Sequence, residues 1–307
     1  MTDLHGVLVV DKPSGPTSHD VVERVRGALG SRKAGHTGTL DPFATGVLPV
    51  CLGQATRLVR FLATGDKLYR ARVRLGFAMS TDDLLGEPLG QAQAVSASPA
   101  QIRAACAELV GKLMQVPPAF SAKRIAGRRA YELARSGDAP EIPAVPVTVH
   151  RLELIAIDGD ELELEISCAP GTYVRALARD LGRKLGVGGH LVRLRRLKSG
   201  SFGLERAVGW DAIESSRDAI VPLAGLLAEY PSVLVSAEGR EALRHGRDLS
   251  RGLVGSGFPE APPPERLRIL DDSGALVALA VPRGFSTRAG ELALDPVLHP
   301  DVVLLRS

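Results

Sequence analysis

The chain has 307 residues, 45% of them hydrophobic and 24% charged, with a formal net charge of +3. That balance excludes an extended charged chain and allows a core large enough for two domains, while no apolar run reaches the roughly 18 residues that a bilayer crossing takes. Cys51, Cys106 and Cys168 are too few and too scattered for a disulfide framework or a cysteine-based zinc site, and no signal-peptide pattern opens the sequence, so a cytoplasmic protein without a metal is expected.

In chain order, the apolar run Val7 to Val10 ends in Asp11-Lys12-Pro13-Ser14-Gly15, which predicts a strand and a turn. Thr17 and Asp20 have capping-box spacing, and Val21, Val22, Val25, Ala28 and Leu29 share one face of the helix that follows. Tyr69, Ala71, Val73 and Leu75 alternate with Arg70, Arg72 and Arg74, the pattern of a half-buried strand. Ile102, Ala105, Cys106, Leu109 and Leu113 form a helical stripe, and the stretch from Pro117 to Pro146, rich in Pro, Gly, Ala and Arg, reads as an excursion from the sheet. Leu162, Leu164 and Ile166 alternate with glutamates in a second strand, which turns at Pro170-Gly171 into a helix carrying Val174, Leu177, Ala178, Leu181 and Leu185.

After Tyr230-Pro231 the pattern changes to short strands, with Leu267 to Leu270 and Leu276 to Val281 joined by a hairpin at Asp271-Asp272-Ser273-Gly274. A boundary near residue 231 divides the chain into residues 1–231 and 232–307. Residues 232–307 hold 9 Lys and Arg against 10 Asp and Glu, leaving 29 against 25 in the larger part, so the positive excess lies there.

The stretch with the most chemical content is Gly35-His36-Thr37-Gly38-Thr39-Leu40-Asp41-Pro42-Phe43-Ala44-Thr45-Gly46-Val47-Leu48-Pro49, a shaped loop holding one carboxylate. Pro42 biases Asp41 towards extended geometry, and the glycines allow positive φ or close backbone approach. An isolated Asp-Pro pair usually caps a turn. Here the ordered motif resembles that of the TruB family, the tRNA pseudouridine-55 synthases. The resemblance runs over about residues 6–230 and takes in Asp11-Lys12-Pro13-Ser14-Gly15, Lys67-Leu68-Tyr69-Arg70, Gly171-Thr172-Tyr173-Val174-Arg175 and Leu194-Arg195-Arg196-Leu197. Two positions depart from the family pattern: Met79 stands for a Thr, and Arg124 for a Lys.

The resemblance implies an α+β pseudouridine synthase fold, a mixed, mostly antiparallel central sheet flanked by helices. Residues 117–146 would be an RNA-binding thumb-like insertion, and 232–307 a β-rich, PUA-like domain. It implies that Asp41 is the essential carboxylate, Tyr69 the aromatic that holds the base or aids catalysis, and Arg175 the partner that keeps Asp41 charged. His36 is implied to fill or hold the gap left by a flipped-out uridine, with Tyr173 and Leu197 lining the pocket or packing beside it. Lys12, Asp83, Lys123, Arg124, Arg195 and Arg196 are expected to bind substrate or RNA, together with Arg32, Lys33, Arg128, Arg129 and Arg193. The implied substrate is the T-arm stem-loop of tRNA, acted on by a monomer without cofactor, membrane or guide RNA. Whether Asp41 attacks the sugar, attacks the base or removes a ribose proton stays open.

Overall fold

The computed structural model describes residues 4–119, 124–125, 128–129, 142–260, 265–285 and 296–305. Its principal strands in the first part are β1 (Gly6–Lys12), β2 (Ala34–His36), β3 (Thr45–Leu52), β4 (Lys67–Leu75), β5 (Gly111–Gln115), β6 (Val145–Asp158), β7 (Glu161–Cys168) and β8 (Gly189–Ser199). The principal helices of this part are α1 (Ser18–Leu29), α2 (Pro99–Ala107) and α3 (Val174–Lys184). Strands β1, β3, β8, β4, β7, β6 and β5 lie in that spatial order within an 11-stranded sheet. Strands β3 and β8 run parallel, and every other neighbouring pair in this series is antiparallel. The sheet is thus mixed and mostly antiparallel, as the resemblance implies.

Local signals act as their chemistry requires. Thr17 and Asp20 close a reciprocal capping box on α1, whose Val21, Val22, Val25 and Leu29 are buried against the sheet. Along β4, Tyr69, Ala71, Val73 and Leu75 face the core, and Arg70, Arg72 and Arg74 face outward. The helical stripe ending at Leu113 is cut short. Helix α2 stops at Ala107, Gly111 adopts φ 105°, and Leu113 belongs to β5. Its spacing fits a helix, but the glycine between permits a turn into an extended strand.

A second, five-stranded sheet is built from Ser232–Val235, Val254–Ser256, Leu267–Leu270, Leu276–Arg283 and Val297–Val303. The hairpin at Asp271 to Gly274 is present, and a helix at Ala237–Arg244 adds to the strands foreseen. Leu276 and Leu279 of this sheet share an apolar cluster with Leu226, Leu227 and with Val7 and Val9 of β1. Among the described residues no helix is long and apolar enough to cross a membrane.

Sheet register positions the site. On β8, Arg195 and Arg196 pair with Thr45 and Gly46 of β3, and Arg196 also pairs with Tyr69 of β4. Ile166 of β7 flanks Tyr69 on the other side, and six residues after β7 ends, α3 begins at Val174. The loop before β3, the start of β4 and the start of α3 therefore converge.

Candidate active site

A cleft of about 370 Å³ opens at this convergence, lined by Asp41, Tyr69, Tyr173, Arg175, Lys67 and Arg196, among others. The Asp41 side chain is 30% exposed, whereas that of Arg175 is 6% exposed. Arg175 addresses the carboxylate side-on, with Nη2 donating to Oδ1 at 3.0 Å and Nε lying 3.0 Å from Oδ2. Its third nitrogen, Nη1, donates to Thr81 O at 3.2 Å and lies 3.3 Å from Asp83 Oδ2. A planar fork matched to a carboxylate fixes direction as well as charge.

The loop that carries Asp41 is gripped from inside. Lys12, with no exposed surface, donates to the carbonyls of Pro13, Pro42 and Ala44 at 2.9, 2.9 and 2.7 Å. Arg196, 1% exposed, donates to Gly38 O at 3.0 Å, Thr39 O at 3.4 Å and Val47 O at 2.7 Å. Ser18 Oγ pins both backbone groups of Leu40. Gly46 has φ 102°, and a Cβ there would stand 2.2 Å from Arg196 O, so this close approach of β3 to β8 requires glycine.

These contacts bear on three expectations. Lys12 and Asp83, read from the sequence as RNA or substrate contacts, are 0% and 4% exposed and are engaged by protein partners, whereas Arg196, 1% exposed, lines the cleft while donating to loop carbonyls. Lys12 and Arg196 brace the loop that carries Asp41, and Asp83 supports Arg175. Asp83 is itself held by Thr81 Oγ1 at 2.6 Å and Leu85 N at 3.0 Å. Burying charge is costly unless each donor and acceptor is satisfied, and these are.

The remaining expected residues fall in several places. Tyr69 is 7% exposed on the cleft wall, and Tyr173 lines the cleft at the start of α3. Leu197 is half-buried at an irregularity of the β8–β4 ladder, apart from the cleft lining. His36 is half-buried just outside the lining, its Nδ1 accepting from Gly38 N at 3.2 Å. Arg195 forks onto Asp11 at 3.0 and 2.7 Å on the other side of the strand from Arg196. Lys123 lies outside the described residues, and of Arg124 the backbone alone is described, paired antiparallel with Arg129.

Burial shifts the proton affinities here. Removal from water raises the Asp41 pKa above the usual carboxylate value, with the nearby Asp83 adding to the rise and Arg175 and Lys12 opposing it. Burial also raises Tyr69 and lowers His36, leaving the imidazole neutral near pH 7. It brings Lys12 and Lys67 down to about 8. Among the described residues no group of three or more His, Cys, Asp or Glu side chains clusters as metal ligands would. The arrangement offers one fork-held carboxylate and an aromatic side chain in a cleft whose other walls are largely apolar, room for a flat ring beside Asp41.

Two connections were not read from the sequence. Gln115 bonds the backbone of Tyr173, and Arg179 pairs with Asp82 at 2.7 Å. A glutamine or arginine in an amphipathic context carries no mark of being buried, so neither stood out.

Comparison with known proteins accords with this geometry. Residues 26–174 match the model of the TruB family pseudouridylate synthase N-terminal domain, and residues 175–221 that of the tRNA pseudouridylate synthase B C-terminal domain. A tRNA pseudouridine synthase B from Solibacter usitatus is 41% identical, covering 98% of this chain and 100% of its own. One from Cereibacter sphaeroides is 47% identical over 79% of this chain and 83% of its own. Among solved structures, a Cbf5-Nop10-Gar1 complex contains a chain 28% identical with a TM-score of 0.72, covering 98% of this chain and 85% of that one. An H/ACA RNP bound to a substrate RNA containing 2′-deoxyuridine contains another, 26% identical with a TM-score of 0.71 and covering 98% and 86%. With the Asp41 loop and its fork-held carboxylate in place, the chain belongs to the TruB family of pseudouridylate synthases.

Proposed function

We propose that this enzyme isomerises uridine 55 in the T-loop of tRNA to pseudouridine, with Asp41 as the catalytic carboxylate. The observation that carries the assignment of Asp41 is its side-on pairing with Arg175 in the cleft that Tyr69 walls. The reaction breaks the bond from ribose C1′ to N1, turns the base, joins C1′ to C5, removes the proton from C5 and returns one to N1. The departing uracil is a delocalised anion retained in the pocket. No second acid is needed to protonate a poor leaving group, as sugar hydrolysis requires. One ionised carboxylate suffices, whichever of its three routes it takes.

In this reading Arg175 holds Asp41 charged and aimed, Tyr69 stacks on the base or assists at C5, and Tyr173 closes the pocket. The uridine must leave its stack to reach them, and neutral His36 at the mouth is suited to stack in its place. We assign residues 1–231 to catalysis, with 117–146 as the insertion that closes on RNA and 232–307 as a PUA-like unit. Arg195, Lys123 and Arg124 are proposed phosphate contacts. The enzyme works as a cytoplasmic monomer without a guide RNA, although the H/ACA neighbours are parts of larger complexes.

The test uses the purified chain and an unmodified tRNA transcript with no other RNA present. Pseudouridine should form at position 55 and should be absent from a transcript with cytidine there. No product without an added guide RNA would overturn the autonomous reading.

A further inference from the structure

Helix α3 delivers Arg175 to Asp41, yet it starts without a side-chain cap of its own at Tyr173. The backbone of Tyr173 is held from across the fold. Gln115, the last residue of β5 and 2% exposed, accepts from Tyr173 N through Oε1 at 2.9 Å and donates from Nε2 to Tyr173 O at 3.1 Å. A side-chain amide that pairs both backbone groups of one residue fixes that residue much as a neighbouring strand would. The next residue continues the attachment, since Val116 O accepts from Arg179 Nη2 at 2.8 Å.

We propose that Gln115 is a positioning residue for the isomerisation: by holding Tyr173 at both backbone groups it sets the start of α3 so that Arg175 meets Asp41 side-on. The inference rests on reading Asp41 and Arg175 as the catalytic pair. A misplacement of about 1 Å at such a pair costs on the order of a hundredfold in rate. The charged and titratable groups around Asp41 are Arg175 from α3, Asp83 from the loop after Met79, Lys12 from β1 and Tyr69 from β4. Of these, Arg175 alone hangs on the Gln115 contact, so loosening it weakens an influence that favours the ionised carboxylate and leaves burial and Asp83 opposed chiefly by Lys12.

The experiment compares wild type, Gln115→Met and Asp41→Asn in single-turnover pseudouridine formation across pH, with RNA affinity measured in parallel. Methionine keeps the length and volume of glutamine without its amide. The Gln115→Met rate should fall about ten- to hundredfold with RNA affinity within about threefold. Its acid limb should move to higher pH. Gln115→Asn, an amide one methylene too short to reach both groups, should behave alike and serves if the methionine variant does not fold. A wild-type rate, or a slower one with an unmoved acid limb, overturns the proposal. An active Asp41→Asn enzyme would instead overturn the reading of the pair itself.

Discussion

Arg175 is shared between two carboxylates: Nη2 and Nε face Asp41 at 3.0 Å each, while Nη1 lies 3.3 Å from Asp83. Burial is the largest cause of the raised Asp41 pKa, and Asp83, which shares the same guanidinium, adds to the rise against the opposing charges of Arg175 and Lys12.

Two substitutions should therefore move the acid limb of the rate profile in opposite directions. Asp41 must be ionised to act, so activity falls as pH drops through its raised pKa. Asp83→Asn removes a like charge and should shift that limb to lower pH. Arg175→Lys loses the fork and should shift it higher, with a rate lowered by about a hundredfold or more. The pH dependence of kcat/KM checks both, because it reports groups of the free enzyme.

Arg196 should matter for stability as much as for rate. Replacing it by Met removes the donors to the carbonyls of Gly38, Thr39 and Val47. A loss of about 3 kcal/mol is expected, since hydrogen bonds to charged groups contribute about 1.5 to 3 kcal/mol each and part of the loss relaxes. Urea unfolding measures it. A variant as stable as wild type would mean that the loop is not held from inside.

Lys12 adds a pH dependence to stability. Burial lowers its pKa to about 8 from 10.5, so between those values the unfolded chain binds more protons than the folded one. Its contribution therefore favours folding increasingly as pH rises through that window. The stability of wild type relative to Lys12→Met should grow between about pH 8 and about pH 10.5. A constant difference in urea midpoint-derived stability would contradict a buried, charged Lys12.

The outward arginines of β4 should have little to do with RNA. Arg70 pairs with Glu163 and Glu165 at 3.0 and 2.9 Å, Arg72 with Asp158 at 2.6 Å and also with Glu161, and Arg74 with Glu161. They stand on the face of the strand opposite Tyr69, already matched by acid. Arg72→Gln should leave both RNA affinity and its salt dependence unchanged, whereas loss of a true phosphate contact would reduce the slope by about 0.7 to 0.9. Titrations at several salt concentrations distinguish the two.

What the sequence disclosed divides by the kind of signal. Alternation marked β4 and β7, a capping box marked α1, and the ordered loop motif led to Asp41 and, through family resemblance, to Tyr69 and Arg175. Those signals are local or carried by long motifs. The identities of Lys12, Asp83 and Arg196 were legible but their roles were not, because a charged residue in a linear chain looks solvated until the strands that bury it are assembled. Register did that: pairing Arg196 with both Gly46 and Tyr69 closes β3 and β4 over it. Gln115 was invisible for the same reason, since its partner Tyr173 is 58 residues away.

The account stands on the carboxylate of Asp41 being the group that acts on the extruded uridine. Asp41→Asn keeps the size of the side chain and removes the charge, so single-turnover pseudouridine formation by this variant on a T-arm stem-loop is the most direct measurement. The account predicts a rate lowered by at least about a thousandfold, with RNA affinity within a few-fold of wild type. An asparagine enzyme that turned over within about tenfold of wild type would contradict it.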